Sequence, residues 1–343
     1  MAVYSIDGTE LNAVYDISAD SLAFVYNING TEIAVSAPEY NITNVVRYFQ
    51  QSVLDTVDEL NELSDAWQSF IFVTDTHGSA NKQHSQAIVM YLLANSSAKK
   101  AFFAGDYCAS DWALDQWEAY FDTFLESGFA PYIYPTIGNH ERFGGAGSTL
   151  VAIYDDYLST KPLNGTPANY YFYFDNKAKK TRFLFINTSN DIANGVSQTQ
   201  INWIAQTAQL PGSDWSLVVI GHIDIDPDNT LTGSWKSAKA SEVTTAISSC
   251  NGKIVGYFCG HEHIDQLRLV KNKFFQLISL CDKFENDNYF DVDNYPVRTS
   301  GTATEQVVTV VSFNTTTGDV VTRRIGAGDE YAWNYKTLQE VTA

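Results

Sequence analysis

Hydrophobic and polar positions alternate along this chain in blocks that predict an α/β protein. Strand-like apolar runs occur at 70–75, 101–105, 131–137, 169–175, 181–188, 215–221 and 253–260. Helical stretches are predicted between them at 79–95, 111–127, 198–208 and 237–249. Later runs at 264–280, 305–313 and 319–325 read as antiparallel strands, with Thr317-Gly318-Asp319 as a hairpin turn. This order fits an α/β sandwich of two mixed sheets flanked by helices. The segment 282–304 is polar and aromatic and reads as a loop at the rim of whatever site the strand ends build.

The first residues follow a different pattern. Residues 3–13 (VYSIDGTELNA), 14–24 (VYDISADSLAF) and 25–35 (VYNINGTEIAV) are three copies of one eleven-residue unit. Asp7-Gly8 and Asn29-Gly30 between β-prone runs predict a short meander of hairpins. Over 41–66, Val46, Phe49, Val53, Val57, Leu60 and Leu63 recur at spacings of 3, 4, 4, 3 and 3, an amphipathic helix of about six to seven turns. Its apolar face has two readings: a short coiled coil that clusters copies of the chain, or packing on the main domain. The expected division is therefore 1–36 for docking or oligomerisation, 37–66 for helix and linker, and 67–343 for the main domain.

Charge narrows the partners. Forty acids against 21 bases give a net charge of −19 with no basic stripe, which disfavours a generic nucleic-acid-binding surface and attraction to anionic membranes. Cys108, Cys250, Cys259 and Cys281 show no CxxC and no paired spacing, so no disulfides are expected. The start MAVYSIDGTE has neither a basic nor an apolar leader region, and no apolar run reaches membrane length. A cytoplasmic or virion-associated location is the expectation.

The chemistry lies in five short segments: Asp75-Thr76-His77, Gly105-Asp106, Gly138-Asn139-His140-Glu141, Gly221-His222 and Gly260-His261-Glu262-His263. Four of them end strand-like runs (FIFVTD, AFFAGD, SLVVIGH, IVGYFCGH), and they contain five of the six histidines. Loops at the ends of parallel strands are where α/β proteins gather functional groups. Carboxylate, imidazole and amide oxygen together suit borderline divalent metals such as Mn, Fe, Zn or Ni. Two such ions can activate a water and clamp a phosphoryl group in in-line displacement.

This ladder resembles the calcineurin-like metallophosphoesterase superfamily, whose pattern is DxH, GD, GNH[D/E], GH and GHxH in that order. The resemblance covers roughly residues 68 to 285. It implies a four-layer sandwich, hydrolysis of a phosphate ester and two divalent transition-metal ions. By position, Asp75, His77 and His263 would hold one metal and Asn139, His222 and His261 the other, with Asp106 bridging. His140 would stand beside the scissile phosphate as proton donor or charge stabiliser. Glu141 would lie behind it, orienting it.

The chain departs from relatives in two respects. Purple acid phosphatases carry a tyrosine ligand three residues after the bridging aspartate, where this chain has Ala109. Tyr107 follows Asp106 directly and would point elsewhere, so a tyrosinate–ferric centre is not expected. Many phosphodiesterases and Ser/Thr phosphatases of the family carry an acid at that same place, or an acid–arginine pair shortly after; this chain has neither, although Asp111 lies nearby. Arg142, Asn81 and His84 are candidate substrate contacts, although a solvated helix face is the plainer role for His84. Scarce cations and the acidic chain favour phosphodiesters over monoesters. Because every motif residue lies from Asp75 onward, residues 1–66 are expected to be dispensable for hydrolysis. The repeats also resemble, weakly, N-termini of phage and prophage tail-associated proteins. That raises an alternative: a virion structural or receptor-binding component, with a phosphate-containing host surface polymer as target.

Overall fold

Two seven-stranded mixed sheets stack face to face and carry helices on their outer sides. The computed structural model describes residues 37–109, 114–141, 147–189 and 195–341, together with the backbone of four short strands before them. Those four are β1 (Val3–Tyr4), β2 (Glu10–Val14), β3 (Val25–Asn27) and β4 (Glu32–Ile33), paired antiparallel in sequence order. β2 runs across the junction between the first and second repeat copies.

Next come α1 (Arg47–Glu62), β5 (Trp67–Val73), α2 (Lys82–Asn95), β6 (Ala101–Phe103), α3 (Leu114–Glu126), β7 (Ile133–Pro135) and α4 (Gly147–Ile153). The middle of the chain gives β8 (Asn164–Thr166), β9 (Tyr171–Asn176), β10 (Thr181–Phe185), α5 (Gln198–Thr207), β11 (Ser216–Ile220), α6 (Ala240–Ser248) and β12 (Lys253–Cys259). The last strands are β13 (Gln266–Val270), β14 (Phe274–Ile278), β15 (Val307–Asn314), β16 (Asp319–Gly326), β17 (Ala332–Asn334) and β18 (Gln339–Val341). One sheet has the order β18-β17-β16-β15-β5-β6-β7 and the other β13-β14-β12-β11-β10-β9-β8. β5, β6 and β7 are parallel, as are β10, β11, β12 and β14, while the edges are antiparallel.

Strands covered on both faces are mostly apolar, as parallel strands in such layers are. Every residue of β6 and β11 is buried. Aromatic rings fill the space between the sheets. Phe70 meets Phe258 edge-on at 5.3 Å, and Phe102 meets Phe185 at 5.1 Å. Such edge-to-face pairs add about 0.5–1.5 kcal/mol each beyond the area they bury. Ile201, Ile204, Val243 and Ile247 of α5 and α6 cover the outer side of one sheet, against Leu184, Leu217 and Val219. On the other sheet α1 lies against β16 and α2 against β15.

Helix α1 differs from its sequence expectation in length. It has 16 residues, between four and five turns. Its start is delayed because the Asn41 side chain accepts from the Thr43 amide and stabilises a 3₁₀ turn over Ile42–Asn44. Val46 and Leu63 extend the apolar periodicity from non-helical backbone and still pack against the core. Phe49, Val53, Val57 and Leu60 are buried in that core, so the helix is built into the main domain. The short strands β8, β17 and β18 and helix α4 have no counterpart in the pattern-based reading; β8 (NGT) and β18 (QEV) are too polar to show one. No disulfide joins the four cysteines. Among the described residues, no helix is long and apolar enough to cross a membrane.

Candidate metal centre

All five segments lie just beyond the C-terminal ends of parallel strands, and hydrogen bonds tie them to one another. The Asp75 amide donates to the Gly105 carbonyl at 3.0 Å and the His77 amide to Asp106 at 3.0 Å. On the opposing sheet the Gly260 amide donates to the His222 carbonyl at 2.9 Å. The two sheets meet through the His222 ring, whose Nδ1 lies 2.7 Å from the Ala104 carbonyl oxygen.

The backbone here is unusual. Asp75 (φ 54°), His77 (44°), Asp106 (55°), His261 (70°) and His263 (53°) are all left-handed. Asp and His enter this region more readily than most residues, yet it still costs of order 1–3 kcal/mol at each position. The motif glycines give the carboxylates room. A Cβ on Gly138 would stand 2.1 Å from Asp106 Oδ1, and one on Gly260 would stand 2.0 Å from Asp75 Oδ2.

Two donor clusters result. In the first, Asp75 Oδ1 lies 3.7 Å from His77 Nε2 and 3.3 Å from His263 Nε2, and those nitrogens are 3.0 Å apart. In the second, His222 Nε2 lies 3.0 Å from Asp106 Oδ2 and 3.1 Å from Asn139 Oδ1, with His261 in the same group. Asp106 also falls within 4.8 Å of His77 and His140 donor atoms, so it reaches both clusters.

The donor chemistry fits cations. Asp75 Oδ1 is buried without a hydrogen-bond partner, although Oδ2 accepts from Thr74 Oγ1 at 2.6 Å and the His261 amide at 2.9 Å. Three imidazoles have Nδ1 against an acceptor: His77 on Cys108 O (3.0 Å), His222 on Ala104 O, and His263 on Glu285. That arrangement puts the ring proton on Nδ1 and turns the Nε2 lone pair inward.

The electrostatics agree. Burial raises the carboxyl of Asp75, but His222, His263 and His77 outweigh it and hold the group well below the usual range. Asp106 follows the same balance, with His222 the main opposing charge. Burial, with His222 beside it, pulls His261 down to about 3, which keeps its ring neutral and able to ligate. Burial opposes charge on His222 too, yet Asp106 and Asp75 push it up to about 9, so its Nε2 carries a proton that a bound cation would displace. These two imidazoles face one pair of carboxylates and are driven apart in pKa, a mark of functional sites.

Around the clusters, Glu141 is fully buried and accepts four backbone amides. Oε2 takes Asp106 N and Gly138 N, each at 2.8 Å, and Oε1 takes Tyr107 N at 2.7 Å and Cys108 N at 3.1 Å. Both its oxygens are thus spent on the loops that carry Asp106 and Asn139, and none of these bonds goes to His140. The His140 amide donates to Asp106 Oδ1 at 2.9 Å, and its ring Nε2 lies 3.8 Å from Oδ2. His84 belongs to another cluster, 3.2 Å from the Tyr48 hydroxyl and 3.3 Å from Glu305 Oε1. Asn81 stands at the start of α2. Arg142 and Asp111 lie outside the described residues.

Glu285 escaped the sequence reading. Its carboxylate bonds His263 Nδ1 while Lys283 Nζ pairs with its other oxygen at 2.9 Å. It sits in the rim segment 282–304, but an acid 22 residues beyond the GHxH motif has no signature of its own.

Two carboxylate–imidazole clusters that share one aspartate, on strand ends of a four-layer α/β sandwich, point to the class of metal-dependent hydrolases. The calcineurin-like phosphoesterase profile matches residues 69–265, more than half of the chain, and the chain belongs to that family. It is a metallophosphoesterase, an enzyme that hydrolyses phosphoric esters with the divalent metal ions this family implies. No curated protein matches. Among solved structures, a dimetal phosphatase from Danio rerio aligns with a TM-score of 0.54 and 11% identity over 78% of this chain and 99% of that one. A 5'-nucleotidase from Candida albicans gives a TM-score of 0.40 and 15% identity over 74% of this chain and 49% of that one.

Proposed function

We propose that this chain is a two-metal phosphodiesterase. The observation that carries the reading is Asp106, a buried carboxylate within reach of both donor clusters. Asp75, His77 and His263 would hold one cation, Asn139, His222 and His261 the other, and Asp106 both. The mixed oxygen and imidazole set suits Mn, Fe, Zn or Ni. The Danio rerio neighbour, named a dimetal phosphatase, fits the same count. When bound, such a pair lowers the pKa of a water and neutralises phosphate oxygens.

The chain's own groups supply the rest. His140 is fixed beside Asp106 by its backbone amide, and its Nδ1 is not committed to any hydrogen bond. It holds the proton that the leaving alkoxide takes up, a general-acid role. Glu141 keeps the Asp106 and Gly138 loops in place through four amides. Glu285 fixes the His263 ring.

A diester suits the surroundings better than a monoester. The net charge is −19, and Lys283 at the rim spends its ammonium on Glu285. A dianionic monoester suffers more from that field than a monoanionic diester does. Residues 1–36 would serve docking or self-association. A virion component that kept the fold only for binding is less well supported, because binding alone has no need of His140. The test compares bis(p-nitrophenyl) phosphate with p-nitrophenyl phosphate on protein loaded with Mn, after elemental analysis. Close to two metals per chain and a higher kcat/KM for the diester are expected; a higher value for the monoester would refute the diester assignment.

A further inference from the structure

Two exposed aromatic side chains stand directly beside the proposed ligands. Trp235 is 37% exposed and Tyr289 is 49% exposed. Only six large hydrophobic residues among those described are exposed to this degree, and these two are neighbours, with ring centroids 5.7 Å apart and planes tilted by 35°. The Trp235 ring lies 5.5 Å from that of His261, and the Tyr289 ring 5.9 Å from that of His263. Phe290 backs the pair, edge-on to Trp235 at 5.2 Å. Contiguous apolar surface left in water is a mark of ligand-binding grooves, and here it adjoins the candidate metal centre.

Both rings are mounted on braced loops. The loop with Trp235 is organised by buried Asp224, whose carboxylate accepts from Asp226 N (2.7 Å), Asn229 Nδ2 (2.9 Å), Thr232 Oγ1 (2.7 Å) and Gln276 Nε2 (2.6 Å). The loop with Tyr289 is tied by reciprocal bonds of Asn286 with Arg298 and of Asn288 with Val292. The Arg298 guanidinium, itself buried, donates to the Cys281, Asp282, Lys283 and Glu305 carbonyls. Buried polar networks with their partners in place fix a geometry, so these rings are presented in preset positions.

Charge selects among occupants. Residues 282–305 carry six acids against Lys283 and Arg298, which disfavours an arm bearing further phosphates. A puckered aliphatic group would gain burial alone on this surface, whereas a flat ring also gains offset stacking.

We propose that Trp235 and Tyr289 form a stacking platform for a planar heteroaromatic ring on the alcohol part of the phosphate ester. The proposal rests on the hydrolase reading and names the substrate class for that centre. Its test is calorimetric titration of the full-length, Mn-loaded protein with phenylphosphonate and cyclohexylphosphonate, which share an anionic head but differ in ring planarity. Wild type should bind the phenyl compound roughly tenfold more tightly. The preference should collapse in Trp235→Ala, shrink in Tyr289→Ala and return in Trp235→Phe. Equal binding by wild type, or a preference that survives both alanine variants, would overturn the platform. Titration reads binding and not turnover, so its outcome does not depend on hydrolysis. A metal-loaded wild type that cleaves no ester would overturn the hydrolase reading instead.

Discussion

Replacing Glu141 by Gln tests how the centre is held. The carboxylate serves four amides, two on each oxygen, and a glutamine side chain has only one oxygen. Whichever way the amide turns, two buried N–H groups then face an NH₂ group. A buried donor left without its acceptor costs about 1–3 kcal/mol, so the substitution should cost about 2–6 kcal/mol. Burial and the nearby Asp106 charge raise the pKa of the Glu141 carboxyl, so losing that charge offsets part of the cost and favours the lower end. Native stability is only about 5–15 kcal/mol, and for a chain of 343 residues a melting temperature lower by about 3 °C or more follows. The Asp106 and Gly138 amides are both on Oε2, so the loops that carry Asp106 and Asn139 shift as well. Supporting partners of this kind are worth about 10–100-fold in metal affinity. Scanning calorimetry and chelator competition read the two effects separately. A variant that melts within about 1 °C of wild type and binds metal equally well would refute the clamp.

Other outcomes follow from the same geometry. Asp106→Asn should lose both metal occupancy and turnover, whereas His140→Ala should keep its metals and lose roughly 10²–10⁴ in kcat; equal metal loss in the two, by elemental analysis, would reverse their roles. Deleting residues 1–36 should leave hydrolysis intact. Deleting 1–66 should not, because Phe49, Val53, Val57 and Leu60 leave the core, each worth about 1.5–3 kcal/mol; a soluble, active chain starting at residue 67 would contradict that packing. Burial, aided by Lys100, pulls Lys161 down to about 7, while in the unfolded chain it keeps its proton to about pH 10. Between those values the unfolded state binds more protons, so stability climbs as pH rises. Urea denaturation at stepped pH should show that climb in wild type and a flatter one in Lys161→Met, and equal slopes would count against the buried amine.

The convergence of the candidate donors was legible because metal chemistry restricts residue type and strand ends restrict position. Asp75, Asp106, His222 and His261 each close an apolar run, so pattern and chemistry point to one place. Functions that depend on side-chain direction were not legible. Glu141 follows His140 in sequence, yet its carboxylate turns back to the amides of another loop. His84 is only seven residues past His77, but helix α2 carries it to Tyr48 and Glu305. Glu285, Trp235 and Tyr289 reach the centre from loops whose course is set by Arg298 and Asp224, which no local pattern encodes. Helix α1 was overextended because apolar spacing continues through Val46 and Leu63, where the backbone is no longer helical.

The left-handed backbone at Asp75, His77, Asp106, His261 and His263 has a consequence for how the enzyme meets its metals. Small metal-folded domains acquire their shape from the ion, and chelation unfolds them. Here the mould is cast by the strands and loops, and its conformational cost is carried by the packed core between the two sheets. Ions should therefore exchange without refolding, so that one polypeptide can be emptied and recharged with different metals and keep its shape. The metal it uses in a cell is then set by what that cell supplies as much as by the chain.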